Sequence, residues 1–298
     1  MEKDLTAIME EIHQSHLREK PLFDARPITG KRFAVPRDGA EPVDTILYQP
    51  AEPPAGPMPA LLNMHGGGFI GGDAVLMDSF CRMLADALGM LVVNVNYKKA
   101  PEYPFPYMIH EVTDTAEYFA AHAGEYGMDP ARIAIGGHSA GASLAAGAAL
   151  KARDDGRVTL ACQLLVYPCT ELGGDPVGPP EEVESYRVFR KLYCQHEEQG
   201  HLWVSPLLAE DGAIAGVCPA IFITCGLDSL CEQGEAYAQK LIRCGVPVTI
   251  KRFPEALHGF LEVNRPDYPA EDARRSPEQA AMCREAEAFI RRALPLYL

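Results

Sequence analysis

Three polar residues in this sequence have the types that nucleophilic catalysis requires, and each directly follows a largely apolar run. Ser139 lies just after the predicted strand "RIAI", Asp228 lies in "FITCGLDSL" after the predicted strand "AIFIT", and His258 lies in "PEALHGF" after the predicted strand "VTIKRF". A serine nucleophile needs a base to accept its proton, and that base needs an acid to orient it. Because such runs predict strands of a parallel sheet, we expect the three side chains to share the carboxyl edge of that sheet.

Ser139 lies at the centre of the pattern Gly137-His138-Ser139-Ala140-Gly141, between a predicted strand and an alanine-rich predicted helix. A tight turn in this position exposes a nucleophile, and glycine two residues before and after it avoids collisions with neighbouring backbone. The alternative is a Gly/Ala-rich turn that merely lets the helix pack closely on the sheet. The strand–turn–helix context favours the nucleophile.

Other residues compete for the roles of acid and base. The alternative role for Asp228 is a cap on the helix predicted to begin nearby. Three glutamates are rival carboxylates: Glu232, Glu255 and Glu262. His138 is a rival base, but we expect its side chain to leave the turn in a different direction from that of Ser139. Asp228 and His258 therefore remain the preferred partners.

The segment "HGGGF", from His65 to Phe69, follows the first predicted buried strand of the alternating region. Consecutive glycines let backbone N–H groups face a reacting oxygen with no Cβ in the way, and the N–H of Ala140 would be a further donor. A phosphate-binding loop is the alternative, but no Lys-Ser/Thr follows the glycines. We interpret His65 as a brace for this loop, and we expect Phe69 to contact the substrate.

The segment "HEEQGH", from His196 to His201, resembles a zinc-binding helix but has the wrong spacing. At i+5 the second histidine lies ~140° around a helix from the first, against ~40° at i+4. We therefore predict no metal ion and no cofactor. The only tryptophan, Trp203, follows this segment, and we expect it to contact the substrate.

The pattern of elements predicts an α/β fold. Leu5, Ile8, Met9 and Ile12 have helical spacing, "VDTILY" is an early strand, and from Pro59 onward apolar strands alternate with helices. This is typical of a mostly parallel sheet with helices on both faces. We predict an N-terminal helical segment over 1–35 and a catalytic domain over 36–298. Within that domain, residues 170–205 are predicted as a partly helical insertion that, with the N-terminal segment, forms a lid over the carboxyl edge.

Six segments together resemble the hormone-sensitive-lipase-like branch of the α/β-hydrolases, which includes bacterial carboxylesterases and acetyl esterases. They are "HGGGF", "NYKKAPEYPFP", "DPARIAIGGHSAGASLA", "SPLLAE", "PAIFITCGLDSL" and "HGF", in the order of that family. The resemblance spans residues 58–298. It implies a triad of Ser139, Asp228 and His258, in the chain order expected for this fold. It also implies an oxyanion hole formed by Gly67, Gly68 and Ala140. The family usually has aspartate where this chain has His138.

Composition narrows the remaining choices. The net charge of −14 and the pI of about 5.1 disfavour nucleic acid and anionic membranes as partners. Nine scattered cysteines without a C-x-x-C motif favour reduced thiols and a cytoplasmic location. The sequence leaves homo-oligomerisation open.

The residues and the resemblance together predict a serine carboxylesterase that acts on short acyl esters, from acetyl to butyryl. An amidase, a lactonase or a peptidase on the same scaffold is the alternative, because fold and triad do not separate these activities. A ligand-binding homologue without catalysis is the alternative from another class, and it is disfavoured because every member of the triad is present.

Overall fold

The computed structural model describes residues 5–174 and 178–298, and an eight-stranded sheet forms its centre. The strands are β1 (Lys31–Val35), β2 (Val43–Tyr48), β3 (Met58–Met64), β4 (Leu91–Asn96), β5 (Met128–His138), β6 (Cys162–Val166), β7 (Ala220–Leu227) and β8 (Val248–Leu257). They lie in the order β1-β2-β4-β3-β5-β6-β7-β8. Strand β2 is antiparallel to both β1 and β4, and all the other neighbours are parallel. The predicted mostly parallel sheet is therefore confirmed.

The central strands are apolar throughout because both of their faces are covered. In β3, Ala60 and Leu62 belong to one buried cluster, whereas Leu61, which points to the other face, belongs to a second cluster. All three side chains have no exposed surface. Alternate residues of a strand point to opposite faces, so a sheet between two helical layers needs apolar residues at every position.

Helices cover both faces of the sheet. They are α1 (Leu5–Asp24), α2 (Asp78–Leu88), α3 (Tyr107–Ala121), α4 (Ala140–Asp155), α5 (Pro180–Tyr193), α6 (Asp211–Ile214), α7 (Cys231–Arg243), α8 (Phe260–Val263) and α9 (Pro277–Ala293). Buried residues of α3, α4 and α7 belong to one core cluster, and those of α2 and α9 belong to the other. The fold is thus a three-layer α/β/α arrangement. In the described part of the chain, every helix is too short or too polar to cross a membrane.

The start of the sheet differs from the prediction. Residues 31–35, which we assigned to an N-terminal helical segment, form β1, an edge strand paired with β2. The pattern "KRFAV" begins with two charged residues, and its first four side chains are at least partly exposed. An edge strand of this kind has no continuous apolar run to predict it. The N-terminal helix itself is present as α1 and ends at Asp24.

Two helices outside the regular alternation pack close to the loop that contains the three glycines. In α1, Nε2 of His16 lies 2.5 Å from the carbonyl oxygen of Ile70, just after that loop. The predicted helix within the insertion is present as α5, and the Phe105 N–H donates to the carbonyl of Tyr193 at its end (2.7 Å). Residues 1–4 of the predicted N-terminal segment and 175–177 of the predicted insertion lie outside the described residues.

Candidate active site

Ser139 occupies the turn between β5 and α4 in a backbone conformation that few residues adopt. Its φ is 53° and its ψ is −120°, and its N–H donates to the carbonyl of Val166 in β6 (2.9 Å). The Ser139 carbonyl accepts hydrogen bonds from the N–H groups of Ala142 and Ser143. Strained residues of this kind persist where the surroundings hold them, and they are frequent at active sites.

Steric exclusion explains why position 141, the last of the serine motif, is glycine. A Cβ at Gly141 would lie 2.4 Å from the carbonyl oxygens of Met64 and His65, well inside the closest contact that carbon and oxygen allow. The first turn of α4 therefore packs directly on the end of β3. This close approach brings the serine turn and the glycine loop after β3 next to each other.

His258 and Asp228 complete a hydrogen-bonded chain with Ser139. Nε2 of His258 lies 2.8 Å from Oγ of Ser139, and Nδ1 lies 2.7 Å from Oδ2 of Asp228. The other carboxylate oxygen of Asp228 accepts the N–H of Leu230 at 2.9 Å. The Asp228 side chain is 2% exposed and that of His258 is 33% exposed. The three side chains predicted from separate parts of the sequence are thus brought together.

The surroundings of His258 favour its charged form. Burial lowers the pKa of His258, but the charge of Asp228 and the hydrogen bond to it outweigh this effect, so the pKa lies above its ordinary value. The same hydrogen bond holds the proton on Nδ1 and leaves Nε2 as the acceptor towards Ser139. His258 is therefore able to accept the serine proton and to keep it.

The glycine loop, which follows β3, contains backbone N–H groups that have no acceptor among the described residues. Gly67 has a φ of 132°, and a Cβ there would lie 2.2 Å from the Gly71 carbonyl oxygen, so no other residue fits. The Gly67 carbonyl accepts the N–H of Gly71, but among the described residues the N–H groups of Gly67 and Gly68 have no acceptor. The N–H of Ala140, first in α4, has no partner within its helix. These free donors are typical of an oxyanion-binding site.

Aromatic side chains cover the outer side of the glycine loop. Phe69 is 3% exposed, has a φ of 68°, and stacks on Tyr193 of α5 with the ring centroids 3.9 Å apart. Phe189, one turn earlier in α5, lies so close to Gly68 that a Cβ there would be 2.9 Å from its ring. Phe69 is therefore the stacked end of the loop, its contact with the substrate stays a prediction, and Phe189 is an aromatic neighbour that no motif in the sequence indicates.

The other histidines and the nearby glutamate are held away from the roles of catalytic base and acid by different contacts. His138 is buried, with Nδ1 3.3 Å from the Tyr167 hydroxyl, and it does not contact the serine hydroxyl. His65 is also buried, and its Nδ1 lies 2.7 Å from the Gly66 carbonyl, within the loop that we expected it to brace. Burial lowers the pKa of His65 to about 4, so that it is neutral. Glu262 is a buried carboxylate near His258, and no periodicity or motif signals its position.

Trp203 lies elsewhere in the molecule. Its ring meets those of His201 and His110 edge-on, and Nζ of Lys151 lies 5.4 Å from the ring centroid. Lys151 is about three turns, or ~16 Å, along α4 from Ala140. Trp203 therefore packs against α4, where a Cβ on Gly147 would lie 2.3 Å from its carbonyl oxygen, and its contact with the substrate stays a prediction. Nδ1 of His201, the second histidine of "HEEQGH", accepts a hydrogen bond from the N–H of Trp203 (3.1 Å).

Comparison with known proteins identifies the family. A sequence model described as the alpha/beta hydrolase fold matches residues 61–262. The chain belongs to the α/β-hydrolases. Within this family, the resemblance to the hormone-sensitive-lipase-like branch is confirmed.

Named esterases are among the relatives of this α/β-hydrolase. The chain is 33% identical over 232 residues to Esterase LipI of Mycobacterium tuberculosis, a match that covers 74% of this chain and 72% of the relative. It is 30% identical over 280 residues to Carboxylic ester hydrolase LipN of the same organism, covering 87% and 73%.

Solved structures of esterases have the same fold. The esterase of Pyrobaculum calidifontis superposes with a TM-score of 0.79 at 29% identity, covering 98% of this chain and 93% of that one. A protein described as a bacterial heroin esterase superposes with a TM-score of 0.77 at 32% identity and the same coverage.

Proposed function

We propose that this protein is a serine carboxylesterase that hydrolyses short-chain acyl esters through an acyl-enzyme intermediate. The observation that carries the proposal is the hydrogen-bonded chain from Ser139 through His258 to Asp228, with distances of 2.8 and 2.7 Å. The names of the relatives support an ester as the substrate.

Each catalytic residue has a defined step. Oγ of Ser139 attacks the ester carbonyl while Nε2 of His258 takes its proton, and Asp228 stabilises the imidazolium that forms. His258 then gives the proton to the departing alcohol, and the acyl group remains on Ser139. A water molecule, deprotonated by His258, attacks this acyl-enzyme, and the acid is released with Ser139 restored.

The N–H groups of Gly67, Gly68 and Ala140 are the proposed oxyanion hole. Both tetrahedral intermediates place a negative charge on the former carbonyl oxygen. Donors that are already fixed and free stabilise this charge without any reorganisation, and one donor typically contributes ~2.7–4 kcal/mol to the transition state.

Helices α1 and α5 are the proposed lid. His16 of α1 contacts Ile70, and Phe189 of α5 lies on Gly68, so both helices adjoin the oxyanion loop. We infer that Phe189, Tyr193 and Phe69 together limit the space for the acyl group. This arrangement supports the preference for acyl groups of about two to four carbons.

A substrate panel tests the proposal. p-Nitrophenyl esters from acetate to palmitate are assayed beside an anilide and a lactone of matched acyl length. We expect kcat/KM to be highest for acetate or butyrate and to fall at least tenfold by decanoate. Faster cleavage of the anilide or the lactone would identify an amidase or a lactonase instead, and no turnover of any substrate would indicate a homologue that only binds.

A further inference from the structure

Glu262 is a buried carboxylate for which the proposed mechanism has no role. It lies in α8, one turn after His258, and is 5% exposed. Oε1 accepts a hydrogen bond from the Tyr167 hydroxyl (3.2 Å), and Oε2 accepts one from the Tyr268 hydroxyl (3.0 Å). A Cβ on Gly66, in the glycine loop, would lie 2.8 and 2.9 Å from these two oxygens. Both hydrogen bonds lower the pKa of this carboxyl and so favour its ionised form, and burial opposes them.

Two arginines that follow Glu262 in the chain, Arg265 and Arg274, are each paired with another carboxylate. Nη2 of Arg274 lies 2.6 Å from Oδ2 of Asp272, and its Nε lies 2.9 Å from Oδ1. Arg265 donates to Glu287 and to Ser79. Neither arginine hydrogen bonds to Glu262, and Arg274 acts on it only through space, where its charge lowers the pKa of Glu262 less than that of His258 does.

His138 does not neutralise Glu262. Nδ1 of His138 lies 3.7 Å from Oε1 of Glu262, beyond hydrogen-bond distance, and 3.3 Å from the Tyr167 hydroxyl. Burial, together with the charge of Arg265, lowers the pKa of His138 to about 3. Its Nε2 has no hydrogen-bond partner among the described residues. His138 is therefore a neutral member of this cluster.

Among the cations that act on Glu262, His258 lowers the pKa of this carboxyl most strongly. The Tyr167 ring, whose hydroxyl bonds Glu262, packs against the His258 ring with centroids 5.0 Å apart. Burial raises the pKa of Glu262, and the charge of His258 acts against this rise; in turn, Glu262 raises the pKa of His258. The imidazole and the carboxyl therefore each favour the charged form of the other.

We propose that Glu262 is a positioning residue for His258, a second carboxylate that stabilises the imidazolium formed when Ser139 gives up its proton. It acts through space and through Tyr167, whereas Asp228 contacts the imidazole directly. The inference rests on the proposed function, because the imidazolium forms as an intermediate only in that reaction. The other charged or titratable groups that act on this pair are Asp228, Arg274, His138, Tyr97, Tyr268 and Cys225.

The test compares pH profiles of kcat and kcat/KM for p-nitrophenyl acetate in four proteins. They are the wild type, Glu262→Gln, the conservative Glu262→Asp, and the matched control Glu255→Gln. Glu255 is an exposed carboxylate three residues before His258. We expect Glu262→Gln to move the acid limb of kcat/KM down by about half a pH unit or more. We also expect its plateau kcat to fall about three- to tenfold, because the imidazolium is less stabilised. Glu262→Asp, which keeps a carboxylate, should show a smaller shift of the acid limb and a smaller fall in kcat. Glu255→Gln should show neither change.

A folded Glu262→Gln protein whose acid limb stays in place or moves upward would overturn the inference. It would leave the esterase proposal intact if the wild type still hydrolyses the ester. NMR titration of the His258 Cε1–H gives the same shift without turnover, so an inactive wild type would overturn the esterase proposal alone. If Glu262→Gln fails to fold, Tyr268→Phe must move the limb in the same direction, because Glu262 then loses a hydrogen bond that favours its charge. An unmoved limb in that variant overturns the inference.

Discussion

Nδ1 of His258 lies 2.7 Å from Oδ2 of Asp228, although the two residues are 30 positions apart and follow different strands. Strands β7 and β8 are parallel neighbours, and Leu227 pairs with Leu257 at their carboxyl ends. The register of these strands therefore places the residue after each end, Asp228 and His258, side by side. Ser139 reaches the same point from the end of β5, and the predictions below rest on this meeting of strand ends.

The first prediction concerns the nucleophile. Ser139→Ala removes the attacking oxygen, and we expect kcat for p-nitrophenyl acetate to fall by about 10⁴- to 10⁶-fold while the protein remains folded. Ser185→Ala, which changes an exposed serine of α5, is the matched control and should keep full activity. A Ser139→Ala protein, purified free of host esterase, that retained a tenth of the activity would contradict the assignment.

The second prediction concerns pH. His258 must be neutral to accept the serine proton, and its pKa is raised by Asp228 beyond the opposing effect of burial. Activity should therefore be complete above this pKa and disappear as the pH falls through it. We expect the midpoint of the acid limb of kcat/KM to lie above the ordinary histidine value of about 6.5. A midpoint below that value would show that burial outweighs Asp228.

The third prediction concerns the oxyanion loop. Gly67→Ala introduces a Cβ that would lie 2.2 Å from the Gly71 carbonyl oxygen, at a φ of 132°. The loop must shift, so we expect kcat to fall by about 10²- to 10³-fold. Gly56→Ala, at a glycine with open space around it, should leave kcat unchanged. Circular dichroism of both variants separates a displaced loop from a lost fold, and a folded Gly67→Ala protein with normal kcat would exclude this loop from catalysis.

The fourth prediction concerns acyl length. Phe189 lies against Gly68, and its replacement by alanine should open space beside the acyl group. We expect Phe189→Ala to shift the maximum of kcat/KM towards hexanoate or octanoate, since each buried CH₂ contributes about 0.8 kcal/mol. Val188→Ala changes the preceding residue, which packs against the core, and should retain the short-chain profile. Identical profiles for the wild type and Phe189→Ala would show that another element limits the pocket.

The fifth prediction concerns metal ions. The histidines of "HEEQGH" have the wrong spacing for a zinc-binding helix, and only residues 196–198 of this segment are helical, as a single 3₁₀ turn. We expect full activity after dialysis against EDTA. Loss of activity on dialysis and its recovery with zinc would contradict this expectation, and dialysis against buffer alone is the control.

The sequence alone was sufficient for the fold class and for the position of Ser139. Both depend on local patterns. The fold class follows from apolar runs that alternate with helices, and the serine has one glycine two residues before it and another two residues after it, at a strand–helix turn. The sequence also left few candidates for the catalytic acid and base. Parallel strands end at the same edge of a sheet, so only residues that follow a predicted strand end could lie near Ser139. Strand β1 was missed because an edge strand such as "KRFAV" has little apolar surface to signal it.

The sequence favoured Asp228 as the carboxylate partner of His258, and the tertiary structure decided between it and the nearby glutamates. Asp228, Glu255 and Glu262 are all close to a strand end or to the histidine in sequence, and the register of β7 against β8 selects Asp228. The structure also placed Trp203 against α4 and joined Glu262 to Tyr167 and Tyr268. These relations are distances between side chains far apart in the chain. Packing of whole elements sets such distances, and no local pattern of residues contains them.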